Sequence, residues 1–238
     1  MFERPHHQRI ALVLQALDAA RLAQNSCYFG GGTAIALRHG EFRESVDIDF
    51  LVCELAGYRA LRQLLTGPER FRALAREGAS DMLKTLREVR ADQYGIRALV
   101  GTETTAIKFE IVFEARIRLD APGPADRICG VATLTPLDMA TSKLLANSDR
   151  WLDDAANCRD VIDLAMMRPG RKLLDAACAK AQTAYGESIV RDLRRAVERL
   201  GDEPQRLGRC MRLLKMDAPQ ALVWQRIRAL LPRATRTG

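Results

Sequence analysis

The sequence from Cys27 to Val52 reads CYFGGGTAIALRHGEFRESVDIDFLV and decides the fold of the first half of the chain. It begins with a short apolar segment, continues through three glycines, Gly30 to Gly32, and then has Thr33 followed by a run of good helix formers. Glycine lets the backbone adopt unusual dihedral angles and approach a neighbouring group closely. The Ala-Ile-Ala-Leu-Arg run after the threonine favours a helix. The pattern predicts a strand, a glycine turn and the start of a helix.

A second strand is predicted from Val46 to Val52, where β-branched and aromatic residues predominate. Because side chains alternate between the faces of a strand, Asp47 and Asp49 project from one side, roughly 6–7 Å apart along the backbone. Neighbouring carboxylates repel each other unless a cation lies between them. A helix N-terminus binds phosphate, and carboxylates beside it hold the magnesium that accompanies phosphate. Each piece alone suits an ordinary loop or a solvated strand edge, but the combination favours a nucleotide site.

A further strand of alternating polarity is predicted from Ala106 to Ile117. Its apolar residues share one face, and Lys108 and Glu110 lie on the other. If this strand neighbours the one with the paired aspartates, Glu110 is the natural third carboxylate of the site. The alternative is that Glu110 only forms an ion pair with Lys108, and the sequence leaves both open.

The second half of the chain is predicted to be helical. Asp120 to Gly130 is rich in Pro, Gly and Asp, which is typical of a linker. Thr135 and Pro136 suit the N-cap and the first turn of a helix, and the composition stays helical to the end, with breaks at Gly and Pro residues. We therefore predict two domains, residues 1–120 and 121–238.

Composition excludes several classes of protein. Of the 238 residues, 47% are hydrophobic and 28% are charged, which is typical of a globular domain with a core rather than of a disordered chain. No apolar run approaches the roughly 18 residues of a membrane span. The N-terminus lacks the apolar block of a signal peptide, so we predict a cytoplasmic protein with no membrane partner. The six cysteines are scattered, which predicts reduced, buried thiols, and three histidines are too few for a histidine-based zinc enzyme.

Charge is unevenly distributed along the chain. From residue 171 onward, 15 Lys and Arg stand against 7 Asp and Glu, a net charge of 15 − 7 = +8, whereas residues 1–170 carry 22 against 23, a net charge of −1. A nearly neutral half joined to a basic half indicates a polyanionic partner for the second half. The alternative is a set of solvated, arginine-rich helices without a nucleic-acid partner.

The glycine turn and the paired aspartates together resemble a known signature. Gly31-Gly32-Thr33, followed by Arg43-x-Ser45-x-Asp47-Ile-Asp49-Phe50, is similar to the signature of the DNA-polymerase-β-type nucleotidyltransferase superfamily, and most similar to that of the abortive-infection toxins of the AbiEii/AbiGii family. The resemblance implies an α/β (α+β) fold, with a mixed sheet, flanking helices and a C-terminal helical bundle that completes the catalytic cleft. It implies nucleotide-binding roles for five positions: Gly31, Gly32, Thr33, Arg43 and Ser45.

The helical half resembles a second conserved block of the same family, with Lys143 followed by Arg159-Asp160-Val-Ile-Asp163-Leu164. In the family the corresponding lysine and first aspartate complete the active site, which implies catalytic roles for Lys143 and Asp160 and a structural role beside an arginine for Asp163. The spacing of Lys143 and Asp160 is not a whole number of helical turns, so we predict a break near Asp153. Taken alone, Lys143 is typical of a surface charge.

The resemblance implies a metal-dependent transfer of a nucleoside monophosphate from an NTP to RNA, with the 3′ end of tRNA favoured, by the toxin of a toxin–antitoxin pair. Asp47 and Asp49, with Glu110 as the third candidate, would hold two Mg²⁺ ions. Lys143 and Arg43 would offset phosphate charge. The alternatives are a small-molecule nucleotidyltransferase of the aminoglycoside-modifying type and a catalytically silent relative that only binds nucleic acid.

Overall fold

The structure is a computed structural model and describes residues 2–102 and 105–231. It divides into two compact units, Met1–Thr135 and Pro136–Gly238. In the first unit the helices are α1 (Pro5–Ala16), α2 (Ala19–Gln24), α3 (Gly31–Arg38) and α4 (Leu55–Thr66), with 3₁₀ turns at Arg70–Leu74 and Ser80–Met82. The strands are β1 (Cys27–Gly30), β2 (Ile48–Val52), β3 (Arg90–Ala91), β4 (Gly95–Thr102), β5 (Thr105–Phe113), β6 (Arg127–Ile128) and β7 (Val131–Ala132).

Five of these strands form one mixed sheet in the order β1-β2-β5-β4-β3, counted over the described residues. Strand β2 pairs antiparallel with β1 and parallel with β5, and β4 pairs antiparallel with both β5 and β3. The interior position of β2 explains its composition, since a strand paired on both edges favours β-branched and aromatic residues. The mixed sheet with flanking helices is confirmed.

One face of the sheet is closed by aromatic packing. The rings of Phe29, Phe50 and Phe109 lie side by side across the three strands β1, β2 and β5, with centroids 5.5 and 5.3 Å apart. Phe71 from the first 3₁₀ turn packs edge-on against Phe109 at 4.7 Å. All four side chains are almost completely buried. Because side chains alternate along each strand, this packing leaves the acidic residues of β2 and β5 on the opposite face.

The first unit extends beyond the boundary predicted at residue 120. Strands β6 and β7 pair with each other, and the backbone N–H of Leu134 donates to the carbonyl of Phe29 at 2.9 Å. Arg38 donates to the hydroxyl of Thr133 and forms an ion pair with Asp126 at 2.7 Å. The segment that resembles a linker is therefore attached to the sheet and to α3, and the division between units falls after Thr135 rather than after residue 120.

The second unit is helical throughout its described residues. Its helices are α5 (Pro136–Arg150), α6 (Arg159–Met166), α7 (Arg171–Tyr185), α8 (Ser188–Asp202), α9 (Pro204–Leu213) and α10 (Gln220–Arg228), with a 3₁₀ turn at Asp154–Ala156 between α5 and α6. The predicted break near Asp153 is confirmed, since α5 ends at Arg150. Each later break coincides with a Gly or Pro residue or with a polar turn.

Across residues 2–102 and 105–231, no helix combines the length and the apolar character that crossing a membrane requires.

Candidate active site

The polar face of the sheet in the first unit carries a row of functional side chains. Asp49 is the register partner of Gly30 on one neighbouring strand and of Glu110 on the other, and Glu110 is in turn the partner of Arg97. Register partners present their side chains on the same face of a sheet. The structure therefore brings Asp49 and Glu110 together, as expected if their strands are neighbours.

Gly31 and Asp49 are in close contact. A Cβ atom added to Gly31 would lie 2.9 Å from Cβ and 3.0 Å from Cγ of Asp49, and closer still to its Oδ2. Gly31 also has φ of +67°, in the region that favours glycine. It is the first residue of α3, whose N-terminus has no side-chain cap. The Asp49 carboxylate thus lies beside a helix N-terminus, whose first backbone N–H groups have no acceptor within the helix and where phosphate binds in other proteins.

Thr33 links the glycine turn to the segment before β2. Its buried hydroxyl donates to the carbonyl of Asp47 at 2.5 Å and lies 2.8 Å from the hydroxyl of Ser45. Asp47 precedes β2 rather than belonging to it, since the strand begins at Ile48. The structure therefore brings Thr33, Ser45 and Asp47 together, and this hydroxyl bond sets the position of the Asp47 backbone relative to α3.

A buried histidine supports the same segment from α1, and sequence reasoning missed it. The His7 imidazole is 0% exposed; its Nδ1 lies 2.7 Å from Oε1 of Glu41, and its Nε2 accepts from the backbone N–H of Ser45 at 3.1 Å. Because Nε2 accepts, the proton of the neutral ring is on Nδ1 and is donated to Glu41. Burial lowers the pKa of His7 and outweighs the opposing effect of Glu41. A neutral His7 therefore holds Ser45 in place.

Glu41 is itself held by the N-terminal segment. Its carboxylate accepts from the backbone N–H of Glu3 at 2.7 Å and of Arg4 at 3.2 Å. These bonds and the one from His7 lower the pKa of Glu41, although burial acts in the opposite direction. No local pattern predicts this network, because its members lie 34 to 38 residues apart in the chain.

Glu110 forms ion pairs with two basic side chains. Its Oε1 lies 3.0 Å from Nε of Arg97, and its Oε2 lies 2.6 Å from Nζ of Lys108. Burial opposes the charged form of Lys108, but its bond to Glu110 and the charges of Glu110, Asp47 and Asp49 more than offset this and raise the pKa of Lys108. Lys108 is therefore an ammonium close to all three acids. The sequence alone indicates Lys108 only as an ion-pair partner of Glu110.

Within the described ranges, no group of three or more His, Cys, Asp or Glu side chains is arranged to hold a metal ion. The structure has the ion pair between Glu110 and Lys108 that the alternative interpretation describes. Asp47 and Asp49 remain a pair of half-buried carboxylates beside the glycine turn. Mg²⁺ is usually bound by one or two carboxylates together with substrate phosphates, so this donor set fits an ion that arrives with a nucleotide.

Arg43 is almost completely buried, and its Nη1 donates to the carbonyl of Glu44 at 2.8 Å. It lies in the loop between α3 and β2, close in sequence to Ser45. Its role toward phosphate, like those of Gly32 and Ser45, stays a prediction.

The second unit contains a separate buried charge cluster. Nζ of Lys143 on α5 lies 3.1 Å from Asp160 and 2.7 Å from Asp163, both on α6. Arg150 donates to both oxygens of Asp160, at 2.7 and 2.9 Å. Lys143 is only 6% exposed, so it is not a solvated surface charge. The turn between α5 and α6 allows this contact, and Asp163 pairs with the lysine itself.

The cluster stabilises the charged forms of Asp160 and Arg150. Burial acts to raise the pKa of Asp160, but the charge of Lys143 and the bonds from Arg150 hold that pKa well below its usual range. The two cations and two carboxylates balance each other, as a buried ionic cluster requires. The catalytic roles of Lys143 and Asp160 stay predictions.

Two solved structures match the chain along most of its length. A presumed nucleotidyltransferase from H. pylori has 16% sequence identity and a TM-score of 0.49, and the match covers 94% of this chain and 92% of that one. JHP933 from Helicobacter pylori has 16% identity and a TM-score of 0.50, with coverage of 97% and 93%. At this identity, the likeness to JHP933 concerns the fold alone. The comparison with curated proteins finds no match.

The family comparison defines the class of this protein, which is a nucleotidyltransferase enzyme. The family model described as "Nucleotidyl transferase AbiEii toxin, Type IV TA system" matches residues 13–237, and the chain belongs to that family. The family predicted from the sequence is therefore confirmed, and with it the assignment to toxins of toxin–antitoxin systems.

Proposed function

We propose that this enzyme transfers a nucleoside monophosphate from an NTP to an RNA acceptor, with the 3′ end of tRNA favoured, in a reaction that requires Mg²⁺. The observation that carries the proposal is the contact between Asp49 and Gly31 at the uncapped start of α3. This contact joins the two features that nucleotide chemistry needs, a carboxylate for a divalent cation and backbone donors for phosphate.

The triphosphate would bind at the glycine turn. Gly31, Gly32 and Thr33 form the first turn of α3, where backbone N–H groups lack helical acceptors. The Thr33 hydroxyl is already engaged with Asp47 and Ser45, so we assign it to positioning the segment before β2. Arg43, buried in the same loop, would add positive charge to the phosphate environment without contacting the solvent.

Asp47 and Asp49 would hold the Mg²⁺ ions, and Glu110 is the third candidate ligand. When bound, two Mg²⁺ ions supply neutralisation of phosphate charge and activation of the acceptor hydroxyl. Both oxygens of Glu110 form ion pairs, so ligation by Glu110 would require Lys108 or Arg97 to exchange partners.

The side chains of the site would stabilise the charge of the phosphates during transfer of the nucleotide to the acceptor. The acceptor hydroxyl oxygen would form a bond to the α-phosphorus, the bond to the pyrophosphate oxygen would break, and the hydroxyl proton would pass to water. Lys108, close to Asp47 and Asp49, would offset the charge of the phosphates. Lys143 would share this task, and Asp160 would either orient Lys143 or help the acceptor hydroxyl lose its proton. The ion pair between Lys143 and Asp160 supports the orienting role.

The helical unit supports an RNA acceptor. It presents exposed arginines on α8 and α9, among them Arg194, Arg195, Arg209 and Arg212. Contacts to phosphates dominate the affinity of proteins for nucleic acids. An acceptor that is itself cationic, such as an aminoglycoside, would be repelled by this surface. As members of toxin–antitoxin systems have an antitoxin, we propose a cytoplasmic role in which a separate antitoxin counters this activity.

The proposal is tested by incubating the purified protein with Mg²⁺ and each labelled NTP in turn, together with total RNA or with an aminoglycoside. We expect label in RNA of tRNA size, and loss of that label with Asp47→Asn or Asp49→Asn. Asp81→Asn is the matched control, since Asp81 is an exposed aspartate of the same unit. Label in the aminoglycoside would select the small-molecule enzyme, and no label with any nucleotide would select the silent relative.

A further inference from the structure

Two cysteines far apart in sequence are neighbours in the helical unit. The Sγ atoms of Cys158 and Cys210 lie 3.3 Å apart, although 52 residues separate them in the chain. Both are free thiols; Cys158 is half-buried and Cys210 is buried on α9. The S–S distance of a disulfide is about 2.05 Å, so the two sulfurs are in contact but not bonded.

The backbone before α6 is unusual at this position. Asn157 and Cys158 both have positive φ, of 51° and 52°. The left-handed region is uncommon for residues other than glycine, and two consecutive non-glycine residues there form a turn that sequence propensity does not favour. This turn places Cys158 immediately before α6 and beside Cys210.

A buried arginine lies against the pair. Arg206 is 4% exposed and forms ion pairs with Asp154 and Glu203 through its terminal nitrogens, while its buried Nε has no hydrogen-bond partner among the residues that the structure describes. A bond from Cys210 and the adjacent Arg206 lower the pKa of the Cys158 thiol, although burial opposes this. The same coupling raises the pKa of Cys210. A thiolate beside a guanidinium is the reactive form of cysteine.

We propose that Cys158 and Cys210 form a redox site, in which a hydroperoxide oxidises Cys158 and Cys210 then closes an intramolecular disulfide. The sulfurs are in contact, Cys158 lies in cationic surroundings, and of the two cysteines only Cys158 is partly exposed. These three observations assign a different role to each cysteine. Cys158 is the thiol that an oxidant reaches, and Cys210 is the resolving thiol behind it.

The chemistry balances with the hydroperoxide as the only oxidant. The Cys158 thiolate attacks the terminal oxygen of the peroxide, an S–O bond forms, the O–O bond breaks, and the alkoxide or hydroxide that leaves takes up a proton. This gives a sulfenic acid at Cys158. The Cys210 sulfur then attacks that of Cys158, an S–S bond forms, the S–O bond breaks, and hydroxide leaves with the Cys210 proton as water.

The disulfide would act on the charge cluster through α6. The carbonyl of Cys158 accepts from the backbone N–H of Ile162, so Cys158 is the N-cap of the helix. Asp160, which pairs with Lys143 and Arg150, follows two residues later. A covalent link to α9 would therefore restrict the end of α6 that carries Asp160. The redox site does not depend on the nucleotidyl transfer proposed above.

The test uses the native full-length protein, reduced and then treated with hydrogen peroxide before denaturation and alkylation. We expect the number of thiols that alkylate to fall from six to four, since six minus the two in the bridge leaves four. Peptide mapping without reductant should join the peptides that contain Cys158 and Cys210. Six alkylated thiols, or a bridge between any other pair, would overturn the proposal.

Single variants separate the two roles. Cys210→Ser should stop at a sulfenic acid that a dimedone probe captures on Cys158, whereas Cys158→Ser should leave Cys210 reduced. Cys178→Ser is the control, because Cys178 is a half-buried cysteine outside the pair whose pKa is raised by burial. At pH 7 we expect Cys158 to react at least about tenfold faster than Cys178, since even an ordinary thiol with a pKa of about 8.5 is mostly protonated and burial raises the pKa of Cys178. Equal rates, or capture of dimedone on Cys178 instead, would contradict the assignment.

Discussion

The side chain of Asp49 occupies the space that a Cβ atom on Gly31 would fill. The added atom would lie 2.9 Å from Cβ of Asp49, which is closer than two carbon atoms approach without a bond. The glycine turn and the acidic strand are therefore fitted to each other, and a side chain at position 31 would displace Asp49. This contact explains why a glycine-rich turn and an aspartate on the next strand occur together in one short stretch of sequence.

Gly31→Ala should reduce nucleotide transfer strongly. The substitution forces Asp49 away from its position, and a displacement of about 1 Å at a reacting centre can cost about 100-fold in rate. Gly40→Ala is the matched control, since Gly40 also has positive φ, of +78°, but a Cβ there would meet nothing within 4 Å. Steady-state rates of both variants, with unfolding in urea to compare stability, separate displacement of Asp49 from backbone strain. Equal losses of activity in the two variants would contradict a special role for this contact.

Asp49→Asn should raise the Mg²⁺ concentration at half-maximal rate far more than Glu110→Gln does. A direct ligand should cost at least the roughly 10–100-fold in metal affinity that supporting residues cost. Glu110 already pairs with Lys108 and Arg97, so its loss should change the Mg²⁺ concentration at half-maximal rate by less than about tenfold. The measurement is a Mg²⁺ titration of the initial rate for both variants. Similar shifts of the half-maximal Mg²⁺ concentration in the two variants would show that Glu110 is a Mg²⁺ ligand as Asp49 is.

Much of this site follows from local sequence patterns. The alternation of Ile48, Asp49 and Phe50 follows from the two-residue period of a strand, and the position of Glu110 follows from one polar face on an apolar strand. Asp47 is predicted on the same strand but lies just before it. The contact between Lys143 and Asp160 required only a helix break near Asp153.

Contacts between residues far apart in the chain could not be predicted from local sequence patterns. His7 and Glu41 meet across 34 residues, and Cys158 and Cys210 across 52, with no periodic pattern to connect them. The unit boundary was predicted too early for the same reason, because a Pro- and Gly-rich segment resembles a linker whether or not its last residues hydrogen bond to a sheet. Leu134 bonds to Phe29 across 105 residues, from 134 − 29, and propensity does not report such a bond.

His7→Phe should destabilise the first unit and raise KM for the nucleotide. The substitution removes the imidazole partner of the half-buried Glu41 carboxylate and Ser45 N–H, at a cost of about 1–3 kcal/mol in all, since Glu41 keeps its bonds from the backbone of Glu3 and Arg4. KM should rise because Ser45 and the segment before Asp47 lose a support, whereas a purely structural role would lower only the amount of active enzyme. Unfolding in urea gives the stability, and the separation of kcat from KM gives the positioning effect.

The same histidine should make stability depend on pH. The pKa of His7 is lower in the folded chain than its unfolded value of about 6.5, so the folded state favours the neutral ring. Its contribution is complete above that unfolded value and is lost as pH falls through the folded pKa, by up to about 1.4 kcal/mol for each pH unit. In His7→Phe this decrease should be smaller, while His39, whose pKa is also lowered by burial, still contributes in both proteins. Identical profiles for the two proteins would exclude a linkage through His7.

Lys143→Met should destabilise the helical unit by about 3–5 kcal/mol, since it leaves buried carboxylates without their main partner. Lys172→Met is the control on an exposed lysine of the same unit and should change stability by less than about 0.5 kcal/mol. Adding Asp163→Asn to Lys143→Met should recover part of the loss, because the uncompensated charge is then removed. A double-mutant cycle in urea measures this coupling, and strictly additive losses would show that Lys143 and Asp163 do not depend on each other.

Replacing exposed arginines should weaken RNA binding in a salt-dependent way. Arg194 and Arg209 lie on α8 and α9 and are exposed. If each contacts a phosphate, the double variant Arg194→Gln with Arg209→Gln should reduce the slope of log K against log salt by about 0.7–0.9 per lost contact, the range between single-stranded and duplex nucleic acid. Fluorescence anisotropy with labelled tRNA at several salt concentrations gives the slope.

The control is Arg70→Gln with Arg72→Gln, since this pair removes the same charge from the first unit and should leave the slope unchanged. Because both double variants lower the net charge equally, a shared decrease would mean that RNA responds to total charge, and only a decrease confined to Arg194 and Arg209 supports an RNA surface on the helical unit.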